Sequence, residues 1–284
     1  MAGMAVSVVF ASVLGCYLLW RGSEFALKEL VYENKAFAID QIEAQTDGVL
    51  SVDQVRRWSG AKIGDNLFAL DLERVRRDLR MVSLIESVSV ERILPRTLRI
   101  RVAEREPLAQ LSLIRPRPGG GVETATFQLD VEGCVMAPVD SRYYSHPPAQ
   151  PLDQLPVITG PNGNEVQIGR RIESPQAQAA LQLIVAFDHS PMAGLVDLKR
   201  IDASCSEVLV VTTAQGSEVT FGLTNLDGQL RRWAEVYEAG QKMGRAIASL
   251  DLAVTNNVPL RFLEASVTPV VAPKLPKPPR KKHV

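Results

Sequence analysis

Residues 87–102 read Ser87-Val88-Ser89-Val90-Glu91-Arg92-Ile93-Leu94-Pro95-Arg96-Thr97-Leu98-Arg99-Ile100-Arg101-Val102. Val88 and Val90 alternate with Ser87, Ser89 and Glu91, and Leu98, Ile100 and Val102 alternate with Arg99 and Arg101. A period of two marks strands with one buried face. Pro95 falls between the two runs, where its missing N–H does no harm. Working backwards, Asp71 can cap a helix that carries Leu72, Val75 and Leu79 on one side. Before it, Ser51 to Gln54 has the spacing of a capping box, opening a helix with Val52, Val55 and Trp58 on one face and Gly60 at its end. Phe37–Ala44 reads as a short strand followed by a turn cluster at 45–48. The order is β-α-α-β-β over residues 36–106.

Further back, residues 3–20 contain no charge and are closed by Arg21. As a helix the run is about 27 Å long, close to the hydrocarbon thickness of a bilayer. Tyr17, Leu18, Leu19 and Trp20 prolong it beyond the apolar core of a signal peptide. We therefore expect a transmembrane helix in residues 1–22 and a connector in 23–35. No Lys or Arg precedes residue 21, whereas Arg21, Lys28 and Lys35 follow it. The positive-inside rule therefore argues against an exported body.

Glu106-Pro107 ends the β-α-α-β-β unit, and a loop with Pro116, Pro118 and Gly119–Gly121 follows. The chain beyond it is strand-rich, with Thr126–Val131 and Cys134–Ala137 flanking a turn from Asp130 to Gly133. Ser174-Pro175 opens a helix with Ala177, Ala180, Leu181 and Ile184 as its buried stripe. Val208–Thr213 and Val219–Leu223 read as a hairpin, and a helix over 226–239 places Leu230, Trp233, Ala234 and Tyr237 on one face. Strands at Ile247–Val254 and Val258–Leu263 close the body. Residues 267–284 hold five prolines and five basic residues with no acid, the composition of a disordered Pro/Lys-rich tail. The whole chain of 284 residues balances 32 basic against 32 acidic side chains, so the body without its tail is mildly acidic. That sign excludes a duplex-binding domain. Three cysteines are too few for a disulfide scaffold; Cys134 and Cys205 are expected as free thiols, with one disulfide between them as the other reading.

Several fragments, in order, resemble the FtsQ/DivIB family of bacterial cell-division proteins. In the first domain these are Gly64-x-Asn66-Leu67-Phe68-x-Leu70-Asp71, and Val88-x-Val90-x-Arg92-x-x-Pro95-x-Thr97-Leu98 running on to Glu104-Arg105-x-Pro107-x-Ala109. Further on come Leu129-Asp130-x-x-Gly133, Leu155-Pro156-x-Ile158-x-Gly160, and Leu250-Asp251-Leu252 followed by Asn256-Asn257. Two departures stand out: Leu94 replaces the tryptophan usual before the hairpin proline, and Ala253-Val254 stands where the family usually has Arg-Tyr. The resemblance implies an α+β chain made of a transmembrane helix, a POTRA domain (polypeptide-transport-associated) at 36–106, and a β domain with flanking helices at 107–266. It implies an inner-membrane division protein with extracytoplasmic domains at the septum. Its expected partners are the small membrane proteins FtsB and FtsL, other divisome membrane proteins, and the membrane itself through residues 3–20.

The carry-over from the family places partner contacts on Leu250, Asp251, Leu252 and Val254, on Leu260 and Phe262, and on the helix face of Trp233 and Tyr237. Strand addition to an open edge is the expected mode. For catalysis, Asp188-His189-Ser190 is the one tempting fragment, but triads are assembled from distant segments. His146, His189 and His283 lack metal-ligand partners at i+3 or i+4. No catalytic, cofactor or metal site is expected. Eight arginines between Arg74 and Arg101 are interleaved with acids and read as a salt-bridged face. The rival readings are a POTRA-bearing factor for outer-membrane assembly or secretion, and an envelope hydrolase.

Overall fold

The fold was obtained as a computed structural model that describes residues 14–21, 34–117, 119–138, 141–147, 152–163, 166–254 and 258–263. Residues 14–21 are helical (α1), with their apolar side chains exposed. The rest of the expected span, the connector up to residue 33 and the basic tail lie outside the described residues. Among the described residues no helix is long and apolar enough to cross a membrane.

The described residues up to Arg105, together with 141–147, form one compact unit; those from Glu106 onward form the other. In the first unit, Asn34 accepts a hydrogen bond from the Ala36 N–H and folds Lys35–Phe37 into a single 3-10 turn, so the first strand, β1, begins only at Gln41 and ends at Thr46. Two helices follow. The hydroxyl of Ser51 caps α2 (Val52–Ser59), which ends at Gly60 in the left-handed region. The Asp71 carboxylate accepts the N–H groups of Glu73 and Arg74 at 3.0 and 3.1 Å and starts α3 (Leu72–Arg80). β2 (Ile85–Ile93) and β3 (Thr97–Glu104) complete the unit. The sheet order is β1-β3-β2, with β1 parallel and β2 antiparallel to β3. Ile42, Ala44, Val88, Val90, Leu98, Ile100 and Val102 are buried, so the alternation read from the sequence selects one face for the core.

The second unit holds a nine-stranded sheet. Its strands are β4 (Ala109–Pro116), β5 (Val122–Leu129), β6 (Val135–Met136), β7 (Val157–Thr159), β8 (Leu198–Asp202), β9 (Val208–Thr213), β10 (Glu218–Gly222), β11 (Ile247–Asp251) and β12 (Leu260–Phe262), in the spatial order β12-β11-β10-β9-β8-β7-β4-β5-β6. Three pairings are parallel: β4 to β7, whose return runs through β5 and β6, and two joined by helices, β7 to β8 through α4 (Pro175–Asp188) and β10 to β11 through α5 (Leu226–Lys242). A parallel neighbour needs a long return, and in the last two pairs a helix supplies it. At the close approach of β7 to β8, Gly160 has φ +109°, and a Cβ there would lie 2.3 Å from the Ser204 nitrogen. Gly160 is thus tied to its position by the backbone beside it. Phe187 from α4, Trp233 from α5 and Phe221 from β10 stack with ring centroids 5.8–5.9 Å apart in the middle of the core.

Candidate functional site

The two ends of the nine-stranded sheet are its candidate docking edges. At the carboxyl end, β12 runs antiparallel to β11. The Asp251 N–H donates to the Pro259 carbonyl at 3.0 Å and the Leu263 N–H to the Ala246 carbonyl at 2.8 Å. These bonds flank the opposed pairs Leu250–Leu260 and Ile247–Phe262, which are therefore the non-hydrogen-bonded pairs of the ladder. The N–H and C=O groups of Leu260 and Phe262 consequently point outward. Among the described residues, no strand lies beyond them.

The expected contact residues separate into two sets. Trp233 is 1% exposed and Leu250 and Leu252 are each 2% exposed, so all three belong to the core. Leu250 and Leu252 lie on the buried side of the alternation, and the Leu252 N–H donates to the Thr220 carbonyl at 2.8 Å. Strand 247–251 is not an edge: β10 pairs with one side of it and β12 with the other. The open border lies one strand further out than Leu250–Val254, because the second of the two closing strands folds back over the first. Asp251 is half-buried, its carboxylate accepting the Ala253 N–H at 3.0 Å where the chain leaves β11. Val254 is exposed, while Leu260, Phe262 and Tyr237 are partly buried against the core. Phe262 lies opposite Gly240 of α5, with the Arg245 guanidinium 5.6 Å from its ring centroid.

Two arrangements were not foreseen from the sequence. Gln229 of α5 is buried, and its side-chain amide takes the ladder position that β11 vacates: Oε1 accepts the Gly222 N–H at 2.8 Å, and Nε2 donates to the carbonyls of Gly222 and Thr224. In the first unit the Glu104 carboxylate accepts the N–H groups of Val49 and Leu50 and the Thr46 hydroxyl. A Cβ on Gly48 would collide with that carboxylate. Tyr144 lies beside this turn through a bridge to Leu50, and burial pushes its phenol above the ordinary value, with the Glu104 charge adding to the shift. Neither could be recognised in sequence, since a glutamine on a helix and a glutamate at a strand end carry no signal of distant backbone partners.

The other candidates resolve into structural roles. The Nδ1 of His189 lies 2.8 Å from the Val185 carbonyl, and the Ser190 hydroxyl donates to the Phe187 carbonyl, so Asp188-His189-Ser190 finishes α4. His146 is exposed beside Ser145, and His283 lies outside the described residues. Among the described residues no three His, Cys, Asp or Glu side chains gather as metal ligands. Cys134 is buried and Cys205 exposed, and no disulfide joins them. Six of the eight arginines are engaged by their neighbours: Arg99 with Glu43, Arg101 with Glu91, Arg96 with Asp40, Arg76 with Glu73 and Arg74 with Asp78, while Arg92 donates to the carbonyls of Leu67 and Leu70.

A β-α-α-β-β unit followed by a mixed sheet with two crossover helices defines a POTRA-plus-β-domain protein. Residues 37–105 match the FtsQ-type POTRA domain family, and residues 123–253 match the C-terminal domain family of the cell-division protein FtsQ/DivIB. The chain is 23% identical over 256 residues to the cell-division protein FtsQ of Geotalea daltonii, an alignment covering 89% of this chain and 82% of that one. With the FtsQ of Koribacter versatilis it shares 25% identity over 276 residues, covering 93% and 74%. A shorter stretch of 65 residues is 38% identical to the FtsQ of Rickettsia bellii. The chain belongs to the FtsQ/DivIB family of cell-division proteins.

Proposed function

We propose that this chain is a single-span inner-membrane scaffold of the division machinery, with both folded units on the extracytoplasmic side, that recruits FtsB- and FtsL-like membrane proteins without performing chemistry. The recruiting surface is the outer edge of β12, on which a short strand of the partner lies down. The observation that carries this reading is the outward set of N–H and C=O groups on Leu260 and Phe262 at the end of a nine-stranded sheet. Strand addition draws its affinity from such main-chain groups and its selectivity from the side chains beside them. The half-buried Leu260, Phe262 and Tyr237 are those side chains; Trp233, Leu250 and Leu252 support the edge from within.

The test is a proline at the outward position. Leu260→Pro deletes an N–H that faces the partner and leaves the bonds to β11 in place, whereas Leu260→Ala removes the side chain and keeps the N–H. Pull-down of the FtsB/FtsL pair with the full chain should fall about tenfold for the proline variant relative to the alanine variant. Equal capture by the two variants, at equal thermal stability, overturns the strand-addition reading.

A further inference from the structure

The first unit carries a second, unrelated surface at the end where the chain enters it. There the Ile39 N–H donates to the Asp65 carbonyl and the Gly64 N–H to the Ile39 carbonyl, both at 2.8 Å, which holds the loop between α2 and α3 beside Ile39. The Asp40 N–H donates to the Arg96 carbonyl at 2.9 Å, which brings the β2–β3 turn to the same place. The tips of these two connections are Ile63, 73% exposed, and Leu94, 61% exposed. Single exposed apolar residues need no explanation. Here two protrude together beside the first residues of the folded unit.

The charges around them are unevenly used. Asp40 pairs with Arg96, Asp65 accepts the Lys62 N–H, and Asp71 caps α3. Lys35 and Lys62 are exposed, and among the described residues neither forms an ion pair. This end therefore joins apolar tips to uncommitted cations, the chemistry of an interfacial membrane contact. Only positions 22–33 separate Asn34 from α1, the carboxyl end of the apolar run.

We propose that this end of the POTRA unit rests on the bilayer surface from which the chain emerges. Ile63 and Leu94 enter the headgroup region, and Lys35 and Lys62 meet the phosphates of anionic lipids. The inference rests on the single-span reading above. Met81 is the internal comparison: it is 84% exposed, yet it follows α3 at the opposite end of the unit, next to the start of β2.

The experiment places a photoreactive p-benzoylphenylalanine at Ile63, Leu94 or Met81 of the full chain, reconstituted into vesicles of phosphatidylcholine with or without phosphatidylglycerol. Lipid adducts at Ile63 and Leu94 should exceed those at Met81 about tenfold and decline when phosphatidylglycerol is left out. Equal yields at the three positions in a chain that resists alkaline extraction overturn the docking and leave the span intact. A chain that washes off the vesicles overturns the span and the docking together.

Discussion

The two edges of the nine-stranded sheet are treated differently by the protein's own chain. At one end, β6 is only two residues long and its outer side is occupied: the Val135 N–H donates to the Arg170 carbonyl, the Gly169 N–H to the Val135 carbonyl, and Cys134 bridges to Arg171. At the other end, the Leu260 and Phe262 backbone groups have no strand beside them among the described residues. An uncovered edge invites association with any other extended chain, so proteins usually shorten, cover or charge it. β12 is short and carries the exposed Arg261, which limits indiscriminate pairing while leaving room for a chosen strand. The contrast teaches that this fold has the means to close an edge with a loop, and closes the one that the proposed function does not use.

The largest expected effect comes from removing what stands behind the open edge. Trp233→Ala empties the space between Phe187 and Phe221 and should destabilise the second unit by about 3–5 kcal/mol. The melting transition of that unit should drop while the first unit's stays in place. A variant that keeps full stability and loses only partner capture would return Trp233 to the surface and erase the distinction between support and contact.

A smaller effect tests how the sheet is finished where β11 ends. Gln229→Ala leaves the Gly222 N–H and C=O without their side-chain partner, and should cost about 1–3 kcal/mol. Amide exchange should quicken at Gly222, and FtsB/FtsL capture should persist, because the proposed edge is two strands away. Loss of capture at unchanged stability would instead place the docking site at the Gly222 end of β10, beyond the last residue that β11 pairs.

These cases also show where the sequence was readable. Helix starts were legible, since Ser51, Asp71 and Ser174 each cap the helix they precede with their own side chain. The hairpin of the first unit was legible for the same local reason: Val88 and Val90 face the core with Leu98, Ile100 and Val102. β4 stands where the sequence reads as a loop: Ala109, Leu111 and Leu113 alternate with Gln110 and Ser112, but the prolines and glycines from Pro116 to Gly121 dominate the local signal. The position of β12 outside β11 was not readable at all. Periodicity states which face of a strand is buried, but says nothing about which strand lies beside it. The site residues divide along that line: Leu250 and Leu252 announced a buried face, and only the topology shows that their strand is interior.

The smallest effect lies in the first unit, where the chain again covers itself. Leu50 pairs with Tyr144, the Ser51 N–H donates to the Tyr143 carbonyl, and Trp58 stacks edgewise on Tyr143. Burial, and then the Glu104 carboxylate, raises the Tyr144 phenol above its ordinary value. A raised acid holds its proton more tightly in the folded state, so its contribution is complete below the unfolded value of about 10 and is lost as pH climbs through the folded value. The urea midpoint of the first unit should therefore fall faster above pH about 10 in the native chain than in Tyr144→Phe, which has no proton to lose. Parallel profiles for the two proteins would mean that Tyr144 ionises freely. The cover over Leu50 would then be as open to solvent as the edge of β12, and the contrast between closed and open borders would not extend to the first unit.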